Sequence, residues 1–123
     1  MERNNQFIKR WIRWLRETDF DQGQSVLRNE NKFCCLGIAC HHSAKTKKAK
    51  IDENENVFYS YTETGDKSDL RLPNHFRQWI GLTSEEQQYL IDLNDTGSDF
   101  DEIADWIEEN VYKQEPDFFL KEN

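Results

Sequence analysis

TSEEQQYLIDLNDTGSDFDEIADWIEENVY, residues 83–112, carries start, stop and face signals for two consecutive helices. Thr83 and Ser84 stand before Glu86 and Gln87, the capping-box pattern, in which a hydroxyl accepts from a free backbone N–H and the later side chain reaches back. Tyr89, Leu90 and Leu93 then supply an apolar stripe, and Asn94-Asp95-Thr96-Gly97 predicts the stop, because these residues tolerate left-handed φ or bond their own backbone. Ser98 and Asp99 before Asp101 and Glu102 form a second capping signature. Phe100, Ile103, Ala104, Ile107 and Val111 recur at helical spacing, which predicts one buried face, with Trp106 at its border. Asp101, Asp105, Glu108 and Glu109 fall away from that face, so the last helix is expected to turn an acidic side to solvent.

Working outward, 123 residues suit one domain, residues 1–123, able to bury roughly two-thirds of its unfolded surface. Aromatic residues at 13 % supply a core, and charged residues at 33 % supply a solvated exterior. No run approaches the ~18 apolar residues of a membrane span, and the N-terminal stretch MERNNQFIKRWIRWLRE has no apolar signal core. A soluble, cytoplasmic protein without membrane partners is therefore expected. The three cysteines are an odd number and two are adjacent, a poor disulfide framework that favours a reducing compartment.

The formal charge of −8 is unevenly spread: residues 1–50 hold 11 Lys/Arg against 5 Asp/Glu, a formal +6, and residues 51–123 hold 5 against 19, a formal −14. Either the halves neutralise each other in the fold, or an acidic region is left to steer a basic partner.

Phe7, Trp11, Trp14 and Leu15, widened by Ile8 and Ile12, predict a helix over residues 5–17 capped by Asn4 or Asn5. Its other face carries Lys9, Arg10, Arg13 and Arg16. A turn is expected over residues 18–23, a short edge strand at Ser25-Val26-Leu27-Arg28, and a hairpin through Asn29-Glu30-Asn31 into Lys32-Phe33-Cys34. The apolar run from Phe33 to Cys40 is read as a strand end passing into a helix over roughly 35–44. Gly37 inside that helix, at about 1 kcal/mol relative to alanine, implies close packing by another element. Residues 45–70 read as a polar loop containing one strand, the alternating Val57, Tyr59 and Tyr61, with KTKKAK over residues 45–50 as a basic loop. Leu72-Pro73 opens a helix faced by Phe76, Trp79 and Ile80 and closed by Gly81, and residues 113–123 form a tail with the apolar segment Pro116 to Leu120. The fold expected is α+β, mostly α, with four to five helices and a small antiparallel hairpin or three-stranded sheet.

Cys34, Cys35, Cys40, His41 and His42 crowd together, but structural zinc sites usually unite two separated ligand pairs, and the only remote candidate is His75. Buried structural cysteines beside a surface histidine pair account for the cluster without a metal, and a Cys–His nucleophile is the catalytic alternative. DLNDTGSDFDE lacks the spacing of a calcium loop, and no P-loop, GxGxxG or HExxH occurs, so neither cofactor nor metal is expected and the chain reads as non-enzymatic. Net negative charge argues against direct DNA binding.

Trp11…Leu15…Gln22-Gly23…Leu27…Cys34-Cys35-Leu36-Gly37…Cys40, then Leu72-Pro73…Trp79…Gly81-Leu82, then Leu93-Asn94-Asp95…Phe100…Ile103-Ala104-Asp105…Ile107-Glu108 resembles a group of small proteins of tailed phages, over roughly residues 11–109. The resemblance implies a phage context and carries no catalytic residues. In that context the expected role is a host-takeover or anti-defence inhibitor in the host cytoplasm. Its partner would be a host protein, such as a nucleic-acid-binding defence or transcription factor, met by Asp92, Asp95, Asp99, Asp101, Glu102, Asp105, Glu108 and Glu109. The alternative is a protein that sequesters a phosphorylated nucleotide signal through Arg10, Arg13, Lys45, Lys47 and Lys48.

Overall fold

The computed structural model describes residues 2–112, and the tail expected over residues 113–123 lies outside them. The order is α1 (Asn5–Glu17), β1 (Asp21–Gln22), β2 (Arg28–Asn29), β3 (Lys32–Phe33), α2 (Cys35–His42), β4 (Thr46–Ile51), β5 (Val57–Tyr61), β6 (Lys67–Ser68), α3 (Asn74–Ile80), α4 (Ser84–Asp95) and α5 (Phe100–Asn110). This is an α+β fold with five helices and two small three-stranded sheets among the described residues.

Each long helix begins where its capping chemistry is written. The Asn4 side chain accepts from the Phe7 N–H, and both residue pairs Thr83/Glu86 and Asp99/Glu102 form complete capping boxes. Gly81 closes α3 at φ 86°, a left-handed conformation in which a Cβ is strained. Pro73 sits at the cap of α3, one position earlier than expected, because its extended ψ of 136° belongs outside the helix.

The first sheet has the order β1-β3-β2, with β1 parallel and β2 antiparallel to β3. The expected hairpin is present, but the edge strand is Arg28–Asn29, while Ser25 takes φ 74° and residues 25–27 bend. The bend carries Leu27 into the core, fully buried, where pleated geometry from Ser25 onward would have alternated it with its neighbours. Asp21–Gln22, expected within a turn, pairs with Lys32–Phe33.

The second sheet corrects the reading of residues 45–70 as a loop with one strand. It has the order β4-β5-β6, with Thr46–Ile51 and Lys67–Ser68 both antiparallel to Val57–Tyr61. Polar KTKKAK lacks local strand propensity and becomes a strand by pairing, its lysines turned to water as an edge strand tolerates. The turn between β4 and β5 is closed by the Asp52 carboxylate, which accepts from the Asn54 and Asn56 N–H groups at 2.9 Å.

The core is one cluster built from the inner faces of all five helices and β5. Trp11 is fully buried, and its indole N–H donates to the Cys35 carbonyl at 3.0 Å. Gly37 lies inside α2 for the reason its position implied: a Cβ there would stand 1.9 Å from the Leu27 carbonyl oxygen. On α4 the buried positions are Gln87, Leu90 and Asn94, whereas Tyr89, expected on the apolar stripe, is 47 % exposed against Trp106. Two amides thus take places that an apolar pattern cannot mark. Gln87 accepts from the Leu72 N–H at 2.9 Å, and Asn94 is described next.

Candidate functional site

Asn94, only 1 % exposed, fills all four of its hydrogen-bonding places. Its carbonyl oxygen accepts from Gln22 Nε2 at 2.8 Å and the Cys35 N–H at 3.1 Å, and its amide donates to the Gly23 carbonyl at 2.7 Å and to Asp95 at 3.3 Å. The Gln-Gly, Cys-Cys-Leu-Gly and Leu-Asn-Asp pieces of the sequence pattern therefore meet at one side chain. They form a scaffold joint with no open valence for a ligand.

The cysteines are equally closed. All three are free and buried. Cys34 caps α2, its sulfur accepting from the Gly37 N–H at 3.4 Å. Burial outweighs that bond and pushes the Cys34 thiol up to about 11, and burial holds Cys35 and Cys40 well above their ordinary values. Such thiols stay protonated at neutral pH, which removes the basis for a cysteine nucleophile. Among the described residues no three His, Cys, Asp or Glu side chains converge as a metal group, and His75 lies apart from the cluster, 3.3 Å from Asp66.

His41 and His42 leave the core at the end of α2 and enter an aromatic corner. Trp14 stacks on His42 with centroids 5.1 Å apart and an interplanar angle of 29°. Phe20 meets His41 edge-on at 5.2 Å and packs on Phe33 at 4.4 Å. Behind them Arg28 lies 4.7 Å over the Phe33 ring and donates to the Tyr59 hydroxyl at 3.2 Å, and that hydroxyl is 3.4 Å from His41 Nδ1. Burial lowers both histidine pKa values, and for His41 the neighbouring His42, Arg28 and Lys48 lower it further, so both rings are neutral at pH 7.

In front of this corner opens a concavity of about 590 Å³ lined by Trp14, Glu17, Thr18, Asp19, Phe20 and His42. Its size falls in the range of small-ligand sites, roughly 300–1,000 Å³. The chain reaches it by a short turn: Thr18 caps the end of α1, its N–H donating to the Trp14 carbonyl at 2.9 Å, and its hydroxyl accepts from the Phe20 N–H at 3.1 Å. None of these lining residues was singled out as a site from the sequence apart from His42. The legible signal was small, a Thr-Asp-Phe turn directly after an aromatic helix.

The expected acidic face is divided by the structure into employed and free carboxylates. Asp99 and Glu102 make the α5 capping box, Asp95 accepts from the Ser25 N–H at 3.0 Å, and Asp92 accepts from Gln88. Asp105 and Glu108 pair with Arg16 at 2.9 and 3.0 Å, so the basic and acidic halves of the chain do meet, across α1 and α5. Asp101 and Glu109 are exposed and form no ion pair among the described residues. The alternative basic set does not converge. Arg10 and Arg13, with Gln6 and Lys9, line a concavity of about 390 Å³, while Lys45 pairs with Glu63 at 3.0 Å and Lys47 and Lys48 lie exposed on β4.

The fold defines a small α+β domain with a closed amide joint and an open aromatic corner. The chain belongs to the family described as Domain of unknown function (DUF8296), whose model matches residues 3–111. No curated protein and no solved structure matches it. Among the described residues no helix is long and apolar enough to cross a membrane.

Proposed function

We propose that the protein is a non-enzymatic binding protein, an inhibitor in host takeover or anti-defence, that acts in the cytoplasm of a phage-infected cell by presenting acidic surface to a basic site on a host protein. The observation that carries this reading is the pair of exposed carboxylates Asp101 and Glu109 on α5, which no cation of the chain neutralises among the described residues. In the sequence, residues 51–123 hold 5 Lys/Arg against 19 Asp/Glu, an excess able to steer a basic partner. The resemblance to tailed-phage proteins supplies the setting. Asp99, Glu102, Asp105 and Glu108 drop to a supporting role, since caps and Arg16 already hold them.

The test is capture from bacterial lysate with the full chain and its Asp101→Lys/Glu109→Lys variant. Loss of the captured host protein in the variant is expected. Equal capture by both would contradict the acidic-face reading.

A second reading, sequestration of a phosphorylated nucleotide, is favoured by Lys9, Arg10 and Arg13, which share one concavity and have no ion-pair partner among the described residues. Native mass spectrometry of protein purified from a bacterial host separates the two. A bound nucleotide mass favours the second reading, and a bare chain favours the first.

A further inference from the structure

We infer that the concavity at Trp14, Phe20 and His42 is a receptor for one arginine side chain of a protein partner. This deepens the reading of a basic partner and rests on it. Three independent features of the concavity agree on the charge of its occupant.

The first is the rim. Glu17 and Asp19 are exposed, and neither forms a hydrogen bond or ion pair through its side chain with any described residue. The basic residues nearest in sequence are engaged or directed elsewhere: Arg16 is held by Asp105 and Glu108, and Arg13 lines a different concavity. The second is the helix ends. Trp14, Glu17 and Thr18 belong to the last turn and cap of α1, and His42 is the last residue of α2, so two helix C-termini bring negative partial charge to the same opening. The third is the wall. Trp14, Phe20 and the neutral His42 offer ring surface, to which a cation is drawn by the ring quadrupole.

Shape then selects among cations. A guanidinium is planar, stacks on rings and forks onto a carboxylate, whereas an ammonium is a compact, strongly hydrated charge. The walls are held before any ligand arrives: Trp14 packs on His42 and on Phe7, and Phe20 packs on Phe33. Little side-chain freedom remains to be lost on binding.

The experiment uses the isotope-labelled full chain and the blocked peptide Gly-Gly-Arg-Gly-Gly, followed by amide and indole N–H chemical shifts at low salt. Citrulline in place of arginine gives an uncharged peptide of nearly the same shape. Saturable shifts centred on Trp14, Phe20 and His42 are expected, weakened at least about tenfold by citrulline and by Glu17→Gln/Asp19→Asn, as loss of a charge-assisted pair requires. Both substituted residues are exposed, and the melting temperature of the variant verifies its fold. Equal binding of the citrulline peptide, or no saturable shift up to about 10 mM arginine peptide, overturns the receptor. Shifts centred on Asp101 and Glu109 instead overturn the receptor and leave the acidic-face reading standing. Binding in the corner together with host-protein capture indifferent to Asp101→Lys/Glu109→Lys leaves the receptor standing and removes the acidic face.

Discussion

Asn94 and His42 are both polar side chains in the last turn of a helix, one closing α4 and the other α2, and they sit in opposite conditions. Asn94 is buried and every donor and acceptor it has is used, by Gln22, Gly23, Cys35 and Asp95. His42 is exposed, touches neighbours through its ring, and stands at the mouth of a concavity whose carboxylates have no partner among the described residues. A saturated polar group tells of assembly, because leaving any one of its partners unmet in the interior is costly. An unsaturated group at an opening is available to something outside the chain. The difference separates residues that hold the fold from residues that can act for it.

The contrast predicts that the closed side governs stability. The largest effect is expected from Gly37→Ala, whose methyl would meet the Leu27 carbonyl oxygen at 1.9 Å and force α2 away from the bend. Chemical denaturation is expected to show a loss above about 3 kcal/mol. Asn94→Ala follows, at about 3 kcal/mol, since it strands the Cys35 N–H and the Gly23 carbonyl together. A loss below about 1 kcal/mol at Asn94 would mean that the joint is not what binds α4 to the first sheet.

A smaller effect is expected on the open side as pH falls. His41 and His42 have folded pKa values below the ordinary 6.5, so the unfolded chain binds protons first and stability rises with pH between the folded and unfolded values. Their contribution is complete above about 6.5 and is lost on acidification toward their lowered values. Glu86 adds a separate loss at lower pH. Burial raises its pKa, but the Arg3 bond and the Thr83 N–H outweigh burial and hold the carboxyl below the usual range. Melting temperature against pH is expected to show a first decline just below 6.5 that His41→Gln/His42→Gln flattens. A double variant as acid-sensitive as the parent in that window would remove the histidines from the account.

The helices were the most legible part of the fold. Caps and helical periods are local, so Asn4, Thr83, Asp99, Gly81 and the stripe from Phe100 to Val111 announce α1, α3, α4 and α5 from the chain alone. Gly37 was legible too, as a glycine that only a close neighbour justifies inside a helix. Strand β4 was not, because its lysines have no preference for extended structure until β5 lies beside them. Gln87 and Asn94 were hidden because polar side chains at core positions are satisfied by remote partners, Leu72 and Gln22 among them. The corner was the least visible. Trp14, Asp19, Phe20 and His42 come from two helix ends and a turn, and nothing in their spacing says that they share an opening. The acidic stripe, in contrast, was fully visible yet only partly free, since charge shows in sequence and pairing does not.

The most direct test places stability and binding side by side in the Glu17→Gln/Asp19→Asn variant. Both carboxylates are exposed and without partners among the described residues, so folding stability is expected to stay within about 0.5 kcal/mol of the parent. Affinity for the arginine peptide is expected to fall at least about tenfold in the same sample. Unchanged affinity in a variant that folds like the parent would contradict the assignment of the corner as an arginine receptor.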